Sequence, residues 1–171
     1  FPGNGKKYLA KKIAETLSAR FEQINPSKIA SADDIKALWE SSRGTDPVVL
    51  FVPNAETVFP RLEGAASARD TLEWVAEWEK HEPHQSRVWV VMTARSDEAV
   101  DQAILDHVGQ DSKIEISPPD NAGRSAIFRL ACEQYQLRTI PPESVIKATG
   151  GATIQDLRRI AMAAKRASTP N

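Results

Sequence analysis

The chain has 171 residues, a length that accommodates one α/β domain with a small appendage. Its 22 lysines and arginines nearly balance its 23 aspartates and glutamates, so no polyanion or membrane surface is indicated as a partner. No apolar run is long enough to span a membrane, no signal peptide is predicted, and the single Cys132 excludes an internal disulfide, which favours the cytoplasm.

The chain opens with a glycine-containing segment, Phe-Pro-Gly-Asn-Gly-Lys, that leads into a helical pattern. The segment fits the phosphate-binding loop pattern G-x-x-x-x-G-K-[ST], whose first glycine would lie before residue 1. We therefore expect upstream residues that form an apolar strand ending in glycine. Lys7 stands where the pattern has Ser or Thr, whose hydroxyl binds Mg²⁺. The residues predicted to contact nucleotide phosphate are Gly3, Asn4, Gly5, Lys6 and Lys7.

Helical and strand patterns alternate over the first two thirds of the chain. Leu9, Ile13 and Leu17 recur at helical spacing directly after the loop. Residues 48–52 and 88–92 are continuously apolar, as expected for parallel strands that are covered on both faces. The predicted helices are residues 7–20, 32–41, 65–81 and 98–108, and the predicted strands are residues 21–24, 48–52, 88–92 and 113–116.

From Pro118 onward only helical patterns follow. Helices are predicted over residues 121–136, 142–149 and 154–167, and Thr153 is predicted to cap the last of them. The layout predicts an α/β domain over residues 1–117, with a parallel sheet flanked by helices. A small helical bundle is predicted over residues 118–171.

Few side chains outside the loop point to chemistry. The three histidines lack metal-ligand spacing to Cys or carboxylates, so no metal site is predicted. The lysine pairs at 6–7 and 11–12 lie near acidic residues and indicate a solvated face, so nucleic acid is not expected. The tryptophans are predicted to be core residues rather than a stacking surface: Trp39, Trp74, Trp78 and Trp89.

The order of these segments resembles the AAA clade of AAA+ ATPases across nearly the whole chain. Residues 2–6 resemble its P-P-G-T-G-K, and residues 47–60 resemble its Walker B segment P-x-V-L-F-I-D-E-I-D-A-L-F-P. Residues 97–104 resemble the P-D-x-L-D-P-A-I that follows sensor 1, and residues 151–157 resemble the lid segment G-x-S-G-A-D-L. Residues 113–120, with Arg124, resemble the passage into the lid. The resemblance implies a P-loop NTPase-type fold over residues 1–117 and a helical lid over 118–171.

The departures from the family pattern fall on the positions that carry chemistry. Pro53 stands at the metal-positioning Asp of Walker B, and Asn54 stands at the Glu that activates water. An amide is not basic near neutral pH, so Asn54 cannot act as a general base. Arg95 aligns with the sensor 1 Asn, although a one-residue shift would place Ala94 or Thr93 there.

Two further family features lack a counterpart. The stretch 105–111, where the family carries arginine fingers, contains no arginine. Residues 28–33 are shorter than the family's pore loop and lack its aromatic residue. Both losses concern contacts beyond the domain itself, with a neighbouring subunit and with threaded polypeptide.

The resemblance and the departures together predict a catalytically degenerate AAA+ domain without catalytic or metal-binding residues. Such a domain would bind at most residual ATP or ADP, without a Mg²⁺ requirement. Its expected partners are AAA+ domains of the same chain or of a neighbouring subunit in a ring assembly. Two alternatives stay open: an active ATPase that uses Glu56 in place of the missing acids, and a protein-interaction module without nucleotide.

Overall fold

The computed structural model describes residues 3–25, 31–42, 46–62, 69–80 and 87–168. The chain divides into two compact units, Lys7–Ile114 and a second unit formed by Phe1–Lys6 with Glu115–Asn171. Each unit has its own cluster of buried apolar side chains. The boundary predicted between residues 117 and 118 stays a prediction.

The Lys7–Ile114 unit alternates helices and strands, as the sequence predicts. Short 3₁₀ turns cover Asp97–Ala99 and Gln110–Ser112. In chain order its main elements are α1 (Lys6–Thr16), β1 (Arg20–Gln23), α2 (Ala32–Ser42), β2 (Val48–Val52), α3 (Ala55–Val58), α4 (Arg69–Glu79), β3 (Val88–Met92) and α5 (Gln102–Val108).

The described strands form one parallel sheet in the order β1-β2-β3, so β2 pairs on both edges. Val48 lies opposite Arg20 on one side and Val88 on the other. All five residues of β2 are buried, and Val48, Leu50 and Val52 belong to one apolar cluster with side chains of α2, α4 and α5. The predicted parallel sheet flanked by helices is confirmed.

Aromatic side chains fill much of the core of this unit. The Trp39 and Trp74 ring centroids are 5.6 Å apart, and the Phe59 and Trp74 centroids are 5.2 Å apart. Trp39 and Trp74 are almost completely buried, and the partly buried Trp78 packs against the same cluster. The predicted core role of these three tryptophans is confirmed.

The prediction that β3 is buried throughout is wrong. Only Val88 is fully buried, and Trp89, predicted as a core residue, is 37% exposed. Within the described residues β3 pairs only with β2, so it lies at an edge of the sheet. The apolar run therefore predicted the strand correctly but did not predict how far its side chains are buried.

Two predicted elements differ from the structure. No strand forms at residues 113–116: Lys113 is tied to Asp97 at 2.9 Å, and Ile114 is 76% exposed instead of packed in a sheet. The predicted helix 98–108 is interrupted, because Val100 is extended and forms a bridge with Pro60. The Asp101 side chain then accepts from the Ala103 N–H at 2.9 Å and begins α5.

The second unit contains α6 (Asn121–Gln134), α7 (Glu143–Ala148) and α8 (Ile154–Ser168). Its core is formed by Phe128, Ile146 and Leu157, one from each helix. The Cys132 thiol is buried and donates to the Thr139 carbonyl at 3.6 Å.

Arg124 is a buried cation that joins the helices of this unit. Its guanidinium donates to the Ile146 carbonyl at 3.2 Å, to the Pro119 carbonyl at 2.7 Å and to the Asn121 side chain. These acceptors compensate for the loss of hydration that burial of a cation entails. Arg124 therefore stabilises the packing of α6 against α7.

We expect Leu50→Ala to lower the free energy of unfolding by about 2–5 kcal/mol, because it leaves a cavity in the middle strand. Leu50 is 0% exposed, whereas Leu72 is 52% exposed and provides the matched control. Leu72→Ala should cost less than about 1 kcal/mol, since a surface substitution creates no cavity. Chemical denaturation followed by circular dichroism measures both, and equal losses would contradict the assignment of β2 as the core strand.

Candidate functional site

The glycine loop at residues 3–5 leads directly into α1. Gly3 and Gly5 have positive φ values of 86° and 81°, a region that glycine enters without steric cost. α1 begins at Lys6, so the N–H groups of its first turn have no partner within the helix. Such a helix start, with lysines at its first two positions, is favourable for an anion.

Asn4 lies between the two glycines and is only 5% exposed. Neither its side-chain oxygen nor its side-chain nitrogen has a hydrogen-bond partner among the described residues. A buried polar group in this state costs about 1–3 kcal/mol relative to a bonded one. Lys6 is partly buried, and Lys7 is exposed. The five residues predicted to contact nucleotide phosphate, residues 3–7, are contiguous in the chain. Their contact with nucleotide stays a prediction.

The loop packs closely against the first turn of α8. The Gln155 N–H donates to the Gly3 carbonyl at 3.1 Å. A Cβ atom at Gly3 would lie 2.9 Å from the Thr153 hydroxyl oxygen and 3.0 Å from Cβ of Gln155. A Cβ at Gly5 would lie 3.6 Å from Cδ1 of Ile154. Sequence reasoning missed these contacts, although the lid segment that supplies them was already identified.

A reciprocal cap begins α8, as predicted for Thr153. The Thr153 hydroxyl accepts from the Asp156 N–H at 3.2 Å and donates to the Asp156 carboxylate at 2.6 Å. The Thr153 N–H donates to the same carboxylate oxygen at 3.1 Å. The hydroxyl bond first, then the N–H bond and the charge of Arg159, hold the pKa of Asp156 below its usual value. The cap fixes the turn that contacts the loop.

In the Lys7–Ile114 unit, the residues that follow β2 and β3 meet where these parallel strands reach their carboxyl ends. The Asn54 N–H donates to the Thr93 hydroxyl at 3.2 Å, and the Ala55 N–H donates to the Thr93 carbonyl at 2.7 Å. Asn54 itself is exposed and has a left-handed backbone, with φ of 51°. Thr93 thus fixes the turn after β2, a role that sequence reasoning did not assign.

Glu56 and Arg95, considered separately in the sequence, form an ion pair at this edge. The Arg95 Nε lies 3.2 Å from the Glu56 Oε1. The Glu56 side chain is 11% exposed, whereas that of Arg95 is 73% exposed. The carboxylate is therefore largely covered and lies at ion-pair distance from a cation on its solvent side, but neither of its oxygens has a hydrogen-bond partner among the described residues. Glu56 follows β2 and Arg95 follows β3. Because these strands are parallel neighbours, the predicted sheet could have indicated that the two side chains lie close together.

The remaining segments of interest contribute packing rather than a cluster of functional groups. In the stretch 105–111, His107 packs against Trp78, with ring centroids 4.4 Å apart, and lies 4.0 Å from Glu79. The predicted pore-loop stretch 28–33 lies partly outside the described residues.

No group of three metal-ligating side chains occurs in the described ranges. Among the helices described, none combines the length and apolar character needed to cross a bilayer.

A glycine loop ahead of a helix, together with a parallel sheet, is typical of the P-loop nucleoside triphosphatase class. Residues 1–118 match the family described as "ATPase family associated with various cellular activities (AAA)". This match covers more than half of the chain, and the chain belongs to the AAA family. The resemblance inferred from the sequence is therefore confirmed.

Curated relatives support the same assignment. The chain is 28% identical over 172 residues to "ATP-dependent zinc metalloprotease FtsH 4" of Sphaerobacter thermophilus, covering 93% of this chain and 26% of the relative. It is 27% identical to "26S proteasome regulatory subunit 10B" of Dictyostelium discoideum, covering 93% and 44%. It is 28% identical to "AAA ATPase forming ring-shaped complexes" of Rothia mucilaginosa, covering 89% and 29%. The chain thus spans less than half of the length of each of these relatives.

We expect Thr153→Ala to raise the pKa of Asp156 toward its ordinary value, because the mutation removes the hydroxyl that donates to the ionised carboxylate. A pKa lowered in the folded state stabilises the fold above the ordinary pKa, and this contribution is lost as the pH falls through the folded pKa. The stability difference between the two proteins should therefore be largest near neutral pH and shrink in acid.

An NMR titration of the Asp156 carboxyl carbon, combined with unfolding at several pH values, measures both effects. Thr149→Ala is the matched control, since its hydroxyl donates to the Ile146 carbonyl at 2.8 Å and not to a carboxylate. An unchanged Asp156 titration in Thr153→Ala would contradict the reciprocal cap.

Proposed function

We propose that this AAA domain does not hydrolyse ATP and serves as a structural or regulatory part of a AAA+ assembly. The observation that carries the proposal is the Glu56–Arg95 ion pair at the edge where β2 and β3 end. Glu56 is the acid that could replace the missing Walker B carboxylates, and a largely covered carboxylate paired with a guanidinium is poorly placed to take a proton from water. The alternative of an active ATPase that uses Glu56 is correspondingly disfavoured.

The requirements of phosphoryl transfer support the same conclusion. The reaction needs a metal across the β- and γ-phosphates, a positioned water, and cationic stabilisation of the transition state. Lys7 supplies no hydroxyl for the metal, and Pro53 and Asn54 supply no carboxylate. The stretch 105–111 supplies no arginine to a neighbouring subunit. Each of the three requirements lacks a residue at its expected position.

Anion binding is a separate matter from hydrolysis. The helix start at Lys6 and the adjacent glycine loop retain features that favour phosphate. We infer at most residual binding of ATP or ADP, with Lys6 and Lys7 supplying positive charge where a metal would otherwise contribute it. The contacts in this proposal come from Gly3, Asn4, Gly5, Lys6 and Lys7.

The proposed partners are AAA+ domains of the same chain or of a neighbouring subunit. The Rothia mucilaginosa relative is named as an ATPase that forms ring-shaped complexes. In this proposal residues 1–117 form the nucleotide-binding-like domain and residues 118–171 form the lid. A protein that stays monomeric at all concentrations, with and without nucleotide, would contradict the assembly part of the proposal. The cytoplasmic location stays a prediction.

We expect ATP turnover by the purified protein to equal the background of a Lys6→Ala variant. Glu56→Gln should leave this rate unchanged, because in this proposal Glu56 lies covered beside the Arg95 guanidinium and does not activate water. A coupled assay of ADP release measures all three proteins. Turnover that Lys6→Ala abolishes would contradict the proposal, and a further loss in Glu56→Gln would favour the alternative active site.

Nucleotide affinity should be the same in EDTA as in Mg²⁺. The reason is that the positions expected to hold the ion carry Lys7 and Pro53, a cation and an apolar residue. Titration of a fluorescent ATP analogue measures the affinity under both conditions. Lys7→Thr is the informative variant, since it restores a hydroxyl and should introduce some metal dependence.

Lys11→Thr provides the matched control, because it removes an exposed lysine from the same helix away from the loop. A strong Mg²⁺ dependence of the unmodified protein would contradict the metal-free site. Absence of binding under both conditions would favour a protein-interaction module without nucleotide.

A further inference from the structure

The space beside the glycine loop is already occupied by the chain itself. Glycines in a phosphate-binding loop allow a ligand to approach the backbone closely, because no Cβ stands in the way. At Gly3 the position of the missing Cβ lies 2.9 Å from the Thr153 hydroxyl oxygen and 3.1 Å from Oε1 of Gln155. The close approach that Gly3 permits is therefore used by the first turn of α8.

The same turn also binds the loop backbone. The Gln155 N–H, one of the α8 N–H groups without an intrahelical partner, donates to the Gly3 carbonyl at 3.1 Å. The Ile154 side chain lies in ordinary van der Waals range of the Cβ position of Gly5. The loop is thus held by a hydrogen bond at Gly3, and the Ile154 side chain lies beside the open Cβ position of Gly5.

This closed arrangement leaves one polar group unsatisfied. Asn4, between the two glycines, is 5% exposed, and its side-chain amide lacks hydrogen-bond partners among the described residues. An amide of this kind gains a partner when water or an anion reaches it. Opening of the loop would therefore compensate in part for the loss of the contacts with α8.

We propose that the first turn of α8, through Ile154 and Gln155, is an autoinhibitory latch that must leave the glycine loop before a polyphosphate anion such as ATP binds. The inference rests on the proposed nucleotide site and adds its regulation. A ligand that binds only the open state has its apparent affinity reduced by the fraction of protein in that state. Weakening the latch should therefore tighten binding without any new contact to the ligand.

In the whole protein, Gln155→Ala removes the side chain that covers Gly3 and leaves the backbone of α8 intact. We expect it to bind a fluorescent ATP analogue in EDTA about fivefold more tightly than the unmodified protein. Arg158→Ala is the matched control, since Arg158 is exposed on the same helix and is not among the nearest neighbours of the Gly3 or Gly5 Cβ positions. Equal affinities for all three proteins, or an equal gain in both variants, would overturn the latch.

A second measurement needs no ligand. Hydrogen exchange of the Gln155 amide reports the bond to Gly3 directly. Gly3→Ala places a Cβ against Thr153 and Gln155 and should expose this amide to exchange. Gly151→Ala has a comparable positive φ of 78° but meets nothing within 4 Å, so it should leave the protection of Gln155 unchanged. Unchanged protection of Gln155 in Gly3→Ala would overturn the latch.

The two measurements separate failure of the latch from failure of the proposed function. If none of the proteins binds the analogue, the nucleotide part of the proposed function is contradicted, and regulation of that site by α8 is overturned with it. If the analogue binds, Gln155→Ala alone tightens its binding and Gly3→Ala alone exposes the Gln155 amide, both proposals are supported. If the analogue binds with one affinity throughout, only the latch is overturned.

Discussion

The burial of β2 is the constraint on which the arrangement of the Lys7–Ile114 unit depends. All five of its apolar residues pair with β3, four of them also pair with β1, and all five are buried. Because Val52 pairs with Met92, the two strands end together, and the residues that follow them meet. The contacts of Thr93 with the turn after β2, and of Arg95 with Glu56, follow from this common end. In open parallel sheets this edge is where ligands bind.

The sequence predicts well those features that depend on neighbouring residues. The bounds of β2 and β3 match the prediction, because uninterrupted apolar runs have clear ends. The cap of α8 is equally local, since Thr153 and Asp156 are three residues apart. Spacing and residue type were sufficient in both cases, and the resemblance to the AAA family added the order in which the elements follow.

The features that the sequence did not reveal depend on partners distant in the chain. The exposure of Trp89 depends on which elements pack against that face of β3, and residues 113–116 find no strand to pair with in the described part of the chain. The Glu56–Arg95 pair requires two side chains that lie 39 positions apart to reach each other. The contact of Gln155 with Gly3 spans almost the whole chain. Local patterns carry no information about such distances.

The distribution of tryptophan has an optical consequence. All four indoles, at 39, 74, 78 and 89, belong to the Lys7–Ile114 unit, and three of them share one aromatic cluster. Emission excited at the red edge of the absorption band therefore originates from that unit alone. The helical unit, whose aromatic residues include Tyr135, contributes ellipticity but no indole emission. Loss of ellipticity at constant emission would thus report loss of helix that leaves the surroundings of the tryptophans unchanged, without any attached dye.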